Sequence, residues 1–345
     1  MTENSLVLAE VRGRAGILTL NRPKALNALN LEMIRQLHSQ LRQWATDPAV
    51  ELVILRGAGE RGLCAGGDIA TLYQDALDGG TAGATFWKEE YELDHYISVY
   101  PKPYVAIMNG IVLGGGIGVS AHASHRVVTD DSRIGMPEVG IGYSPDAGGS
   151  YLLAAVPDRL GRHLAYTAAH VGAAEAIDTG FADYYVPQDQ LDGLVEYLAG
   201  TGEVGGIGKF SADCGPAFGA DRAEMVDIYA AATVGETLQR LEASESEWAA
   251  KAAKAIRRHS PLGLAVTQYA LDNPPATLAQ ALEREFWMSL NMQRHPEFAE
   301  GIRAQIIDKD RNPQWSYASV DSVPAEVVEA IFAPLDGFEP PHFAD

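Results

Sequence analysis

The chain has 345 residues, 47% hydrophobic and 21% charged, with a formal net charge of −20. Length and composition fit one large domain, or one domain with a smaller partner. The charge argues against a nucleic-acid or anionic-membrane surface, which needs clustered Lys and Arg. The two cysteines, Cys64 and Cys214, are too few for a disulfide framework and have no metal-site spacing, so no metal is expected.

The N-terminal "MTENSLVLAEV" has no basic region followed by an apolar run. No stretch approaches the ~18 uncharged apolar residues of a membrane span. A cytoplasmic, reducing location is the expectation. Two short apolar runs, 6–11 and 17–20, flank "RGRAG" and predict a hairpin. The loop "NRPKALNALN" follows, and Asn30 is placed to cap a helix whose apolar positions Leu31, Ile34, Leu37, Leu41 and Trp44 recur at three and four.

"LVIL" (52–55), "YVAIM" (104–108) and "HRVVTD" (from His125) are apolar runs suited to strands buried on both faces. Helical patterns at 69–76, 86–98 and 116–123 alternate with them, which predicts an α/β fold with a mainly parallel sheet. After Val186 helical periodicity dominates, as at 225–256 and 278–291. The chain therefore divides into an α/β core, residues 1–190, and a helical C-terminal region, 191–345. The Gly-rich stretch 201–219 predicts a flexible or functional loop.

Two glycine clusters stand where strands pass into helices: "CAGGDI" (64–69) and "LGGGIG" (113–118). Glycines there bring bare backbone N–H groups close to a ligand, and two such groups aimed at one point make an oxyanion hole. Neither cluster is a dinucleotide or phosphate-loop motif. "MPEVGIGYSPDAGG" (136–149) sets two acids, Glu138 and Asp146, in an apolar, glycine-rich turn. Either they do chemistry or they simply begin and end turns, since "SPD" and "DAGG" are ordinary turn signals.

Taken in order and spacing, "NRPKALNALN", "GLCAGGDI", "NGIVLGGGIGVSAHASHRVV" and "MPEVGIGYSPDAGG" resemble the crotonase (enoyl-CoA hydratase/isomerase) superfamily. That resemblance implies a spiral of ββα repeats, assembly as a homo-oligomer, and an acyl-CoA thioester whose carbonyl oxygen lies between the N–H groups of Gly67 and Gly115. Hydratases of the family resemble "GGGxE"; here that acid position is Gly118, while Asp146 stands where they have Gly. This exchange, with "EEY" (89–91) and the C-terminal "GIRAQIIDKDRNPQW" (301–315), resembles the 3-hydroxyisobutyryl-CoA hydrolase branch.

The resemblance implies thioester hydrolysis in valine breakdown, with no cofactor besides the CoA of the substrate. Glu138 would act on the carbonyl carbon as nucleophile or general base, and Asp146 would position the hydroxyl or water and move protons. Two neighbouring carboxylates should have pKa values pushed apart. Substrate contacts are expected from Glu90, from Arg22 and Lys24 near the CoA phosphates, and from Ala65, Gly66, Asp68 and Gly114. Asp68 is also placed to cap the next helix. His122 and His125 read as structural, and Cys64 and Cys214 as small hydrophobes. Two alternatives stand: a hydratase or isomerase using Glu138 alone, and a non-catalytic CoA- or RNA-binding protein on the same fold.

Overall fold

A computed structural model describes residues 5–343. The predicted hairpin forms as β1 (Val7–Arg12) and β2 (Ala15–Leu20), paired antiparallel. Next come α1 (Leu31–Thr46), β3 (Leu52–Gly57), α2 (Ile69–Asp78), α3 (Ala82–Ser98), β4 (Tyr104–Ile107), β5 (Ile111–Leu113) and α4 (Gly115–Ala121). β6 (His125–Val128), β7 (Arg133–Gly135), α5 (Gly149–Ala155) and β8 (Tyr184–Tyr185) complete the sheet region. Asn30 caps α1 by accepting from the Met33 N–H at 3.0 Å.

The main sheet has the order β1-β2-β3-β4-β6-β8, parallel except for the first pair, and β5 and β7 form a second small parallel sheet. Each turn of the spiral runs from a main-sheet strand to a short crossing segment and then to a helical turn. Cys64, bridged to Val112, takes the place of β5 in the turn between β3 and α2. This is the ββα spiral that the motifs imply.

The strands read as continuous apolar runs because both faces are covered. Leu18, Leu20, Val53, Leu55 and Tyr104 belong to the large core under the helices. Ile17, Leu52, Ile54, Val105 and Val127 belong to a smaller core covered by the helix Leu191–Thr201. Each such side chain contributes about 1.5–3 kcal/mol when fully buried, so both layers hold the sheet.

Beyond β8 the chain is helical, with two departures from expectation. The periodic stretch 225–256 is three helices, Arg222–Tyr229, Val234–Ala243 and Glu247–Ile256. Thr233 caps the second by accepting from the Glu236 N–H. The Gly-rich stretch 201–219 holds a 3-10 segment, Val204–Lys209, whose Ile207 is buried in the smaller core. The 3-10 segment packs against the smaller core, while Phe218 near the end of the stretch packs against the large one. The helices Leu278–Arg294 and Pro296–Ile302 pack back onto α3 and α2.

Candidate active site

The glycine clusters, both turn acids and α3 meet at one cavity of about 510 Å³. Ala65, Gly66, Gly67, Gly114, Gly115, Glu90, Glu138 and Asp146 all line it, with Phe86, Trp87 and Leu72 as apolar wall. Among the described residues the N–H of Gly67 has no acceptor, and that of Gly115, in the first turn of α4, has none either. The two glycines are close: a Cβ built on Gly115 would lie 3.5 Å from the Gly67 nitrogen.

Gly114 enters α4 at φ 50° and ψ −122°, a backbone open to glycine alone, and a Cβ there would stand 2.8 Å from Glu138 Oε1. A Cβ on Gly115 would collide with Glu90 Oε1. Bare backbone here is therefore what lets two carboxyls reach the N–H pair.

The acids occupy unlike surroundings. Glu138 begins a 3-10 turn, Glu138–Ile141; it is buried, and its Oε2 has no hydrogen-bond partner among the described residues. Burial, and then the field of Asp146, pushes its pKa well above the usual carboxylate range. Asp146 is equally buried, but two tyrosine hydroxyls donate to its Oδ2, Tyr91 at 2.7 Å and Tyr143 at 3.0 Å. Burial raises it to about 6, with the tyrosines holding it down against a larger shift. Both carboxyls are thus raised by burial, and only Asp146 has hydroxyl donors that favour its ionised form. The pKa values are pushed apart, as two neighbouring acids in an apolar turn should be.

The turn that presents Asp146 is held in a left-handed conformation at Ala147 (φ 53°) and Gly148 (φ 77°). His122 Nε2 lies 2.9 Å from the Ala147 carbonyl. Glu285 accepts from the Gly148 N–H at 2.7 Å, from the Ser150 N–H at 3.1 Å and from the Ser150 hydroxyl. Burial against these bonds places Glu285 at about 7.

Glu90 faces the cavity with Oε1 unpartnered, and burial, then Asp146 and Glu138, raise it well above its ordinary value. One helical turn on, Asp94 is buried with both oxygens unpartnered among the described residues, and it is likewise raised by burial and by Glu90. A Cβ on Gly118 would lie 2.5 Å from Asp94 Oδ2. Asp94 thus packs against Gly118, the position where hydratases resemble "GGGxE", without lining the cavity.

Three expected contacts fall elsewhere. Arg22 donates to the Ala28 carbonyl at 2.6 Å and pairs with Asp68 at 3.0 Å, and neither lines the cavity. Asp68 stands at the start of α2 but makes no side-chain cap, because its carboxylate is turned to Arg22. Lys24 is exposed on the same loop, outside the cavity. His125 bonds Ser124 Oγ at 2.9 Å, away from the site. Cys64 is buried, which pushes its thiol up to about 12, and Cys214 is a free thiol outside the cavity. Among the described residues no group of His, Cys, Asp and Glu is arranged to hold a metal.

Asp94, Tyr143, Glu285 and Ser289 were not singled out by the sequence reading, and Tyr91 entered it only as the last letter of "EEY". A signal existed: Glu90 and Asp94, and Glu285 and Ser289, are pairs four apart, polar residues on otherwise apolar helix faces. The 301–315 motif forms part of the cavity rim through Gln305 and Ile306. Arg303 ties it together by pairing with Glu300, Asp308 and Asp310 at 2.7–2.8 Å.

A ββα spiral with paired glycine N–H groups facing buried carboxyls defines a crotonase-type acyl-CoA site. The sequence matches the enoyl-CoA hydratase/isomerase family over residues 15–332, and the chain belongs to that family. It is 37% identical to the 3-hydroxyisobutyryl-CoA hydrolase, mitochondrial, of Rattus norvegicus over 97% of this chain and 90% of that protein. With the Homo sapiens protein of the same name the identity is 34%, over 95% of this chain and 89% of that one.

Among solved structures it is similar to a carnitinyl-CoA dehydratase from Mycobacterium thermoresistibile, with TM-score 0.92 and 40% identity over 97% and 98% of the two chains. It is also similar to an enoyl-CoA hydratase from Rhodobacter sphaeroides 2.4.1, with TM-score 0.88 and 41% identity over 96% and 98%. Both curated relatives are named mitochondrial, which sets them apart from the cytoplasmic expectation. Among the described residues no helix is long and apolar enough to cross a membrane.

Proposed function

We propose that this protein hydrolyses an acyl-CoA thioester, with 3-hydroxyisobutyryl-CoA as substrate, giving 3-hydroxyisobutyrate and the CoA thiol. The observation that carries this reading is the meeting, in one cavity, of two unengaged backbone N–H groups and two buried carboxyls of unlike environment. The thioester oxygen lies between the N–H groups of Gly67 and Gly115, which stabilise the negative charge of the tetrahedral state. One such donor is typically worth about 3–4 kcal/mol.

Glu138 acts on the carbonyl carbon and Asp146 exchanges protons with it. Because two tyrosine hydroxyls donate to Asp146 and favour its ionised form, it is the group suited to take a proton from Glu138 or from water. In the covalent route the Glu138 carboxylate displaces the thiolate, which leaves with a proton, and water then cleaves the mixed anhydride. In the direct route a carboxylate takes the proton of the attacking water and an acid returns one to the thiolate. Both routes consume one water, release one thiol and need no cofactor. Glu90, which lines the cavity and whose pKa burial raises, is the group assigned in this reading to the substrate's 3-hydroxyl. Arg22 pairs with Asp68 in the loop beside the site, and Lys24, which has no ion pair among the described residues, is the cation assigned to the CoA phosphates. Assembly as a homo-oligomer rests on the family resemblance and is checked by sedimentation. A reducing compartment is supported by the two free cysteines.

The competing hydratase reading has in its favour the likeness to a carnitinyl-CoA dehydratase and to an enoyl-CoA hydratase. Against it stands Gly118, which carries no side chain where the second hydratase acid would be. Thiol release from 3-hydroxyisobutyryl-CoA decides between them. Release by the wild type, strongly impaired in Glu138→Gln and Asp146→Asn, is the expected result. Hydration of an enoyl-CoA without thiol release would overturn the reading. Salt-sensitive RNA retention without either activity would favour a binding protein instead.

A further inference from the structure

Behind the cavity, three hydroxyls and one carboxylate oxygen form a connected set. Tyr91 Oη on α3 lies 2.7 Å from Asp146 Oδ2 and 2.9 Å from Ser289 Oγ. Tyr143 Oη lies 3.0 Å from the same Oδ2 and within bonding distance of the same Ser289 Oγ. Ser289 donates onward to the Glu285 carbonyl at 2.7 Å. All four residues are buried, and burial with the nearby Asp146 charge pushes both phenols well up, so their hydrogens stay in place.

These contacts outnumber the hydrogens that can fill them. With Asp146 ionised, the three hydroxyls supply three hydrogens: both tyrosines donate to Asp146, and Ser289 donates to the Glu285 carbonyl. No hydrogen is left between either tyrosine and Ser289. With a proton on Asp146 Oδ2 there is a fourth. Asp146 then donates to Tyr91, Tyr91 turns its hydrogen to Ser289, Ser289 keeps its carbonyl, and Tyr143 still donates to Oδ2. Every hydrogen is used in both states, and only hydroxyl hydrogens rotate.

We propose that Tyr91, Tyr143 and Ser289 are positioning residues that let Asp146 take up and release a proton without any heavy atom moving. What that proton is used for rests on the hydrolase reading above. Glu138, whose Oε2 has no partner, lacks any such set. The charged and titratable groups around Asp146 are Glu90 and Asp94 on α3, Glu138 on its own segment, and Glu285 with neighbouring Arg284 on the helix Leu278–Arg294; His122 packs on the Ala147 carbonyl. Burial opposes ionisation of Asp146, and the two phenol donors, with its own backbone N–H, favour it.

The hydrogen count gives opposite signs for two kinds of variant. Tyr91→Phe or Tyr143→Phe removes a donor to the ionised form, yet leaves the protonated form fully bonded, so the Asp146 midpoint rises. Ser289→Ala leaves the ionised form with both donors, but gives the protonated form one hydroxyl hydrogen with no acceptor, so the midpoint falls. Two readouts test this: the acid limb of thiol release against pH, and an infrared titration of the protonated-carboxyl band assigned by its loss in Asp146→Asn. We expect shifts of about one pH unit upward for each Phe variant and downward for Ser289→Ala. Midpoints that stay put, or move the same way in all three, overturn the proposal even if thiol is released. If no thiol is released, the hydrolase reading fails, and the infrared midpoints still judge the hydroxyl set.

Discussion

Glu89 and Glu90 are chain neighbours on α3 with opposite surroundings. Glu89 points outward and is gripped by Arg35 through two bonds of 2.6 and 2.7 Å, an arrangement repeated on the surface at Arg126–Asp183 and around Arg303. Glu90 points inward to Asp94, Glu138, Asp146 and Glu285, and among the described residues none of these five acids has a salt-bridge partner. A carboxylate without a cation in an apolar interior is costly, so it is neutralised by a proton or held by directed donors. Most of the cluster takes the first course. Asp146, with its two tyrosines, takes the second, and Glu285 combines burial with backbone donors. The negative charge of the chain is therefore a property of its surface, and the site is governed by where its few protons sit.

If that contrast is right, the largest effects come from removing either reacting acid. Glu138→Gln and Asp146→Asn should each lower turnover by about 10²–10⁴-fold in the thiol-release assay, while the far-ultraviolet spectrum stays that of the wild type. Next is Gly114→Ala, which forces a Cβ against Glu138 Oε1 at a backbone angle that only glycine tolerates. It should abolish most activity and lower stability by about 1–3 kcal/mol, read by denaturant unfolding. Glu285→Ala leaves the Gly148 and Ser150 N–H groups buried without an acceptor, at about 1–3 kcal/mol. Its loss of activity should follow the loosening of the Asp146 turn, seen as a raised KM together with a lowered kcat.

These residues were not equally visible in the sequence. Gly67, Gly115, Glu138 and Asp146 lie in short turns beside strands, where glycine and acid spacing along the chain is itself the geometry. The spiral was legible for the same reason, since each of its turns is local. Glu285 and Ser289 come from a helix more than a hundred residues further on, and nothing in "EREFWMSL" says which face meets the Asp146 turn. The same blindness to tertiary contact sent Asp68 to a helix cap, when Arg22 had a stronger claim on its charge. The division of 225–256 into three helices was readable in principle, because Thr233 followed three residues later by Glu236 is a helix-start pattern. There, long-range periodicity masked a local cap.

The smallest effects sharpen the contrast most, because they separate its two halves by condition and not by size. Asp94 has a raised pKa in the fold, chiefly from burial and then from Glu90. The folded state therefore holds a proton that the unfolded chain gives up near pH 4, and stability falls as pH rises from there toward the folded value. Asp94→Asn, which imitates the protonated acid, removes that slope. Its melting temperature relative to wild type should rise by about 2–4 °C between pH 5 and pH 8, with little change when salt is added, because the group is buried. Arg35→Ala strips the cation from exposed Glu89 and should give the reverse pattern. Any loss of stability should be small and should shrink further in salt, because the Arg35–Glu89 pair is open to solvent. A salt-sensitive Asp94→Asn would mean that water reaches the cluster and that its acids are screened like those outside.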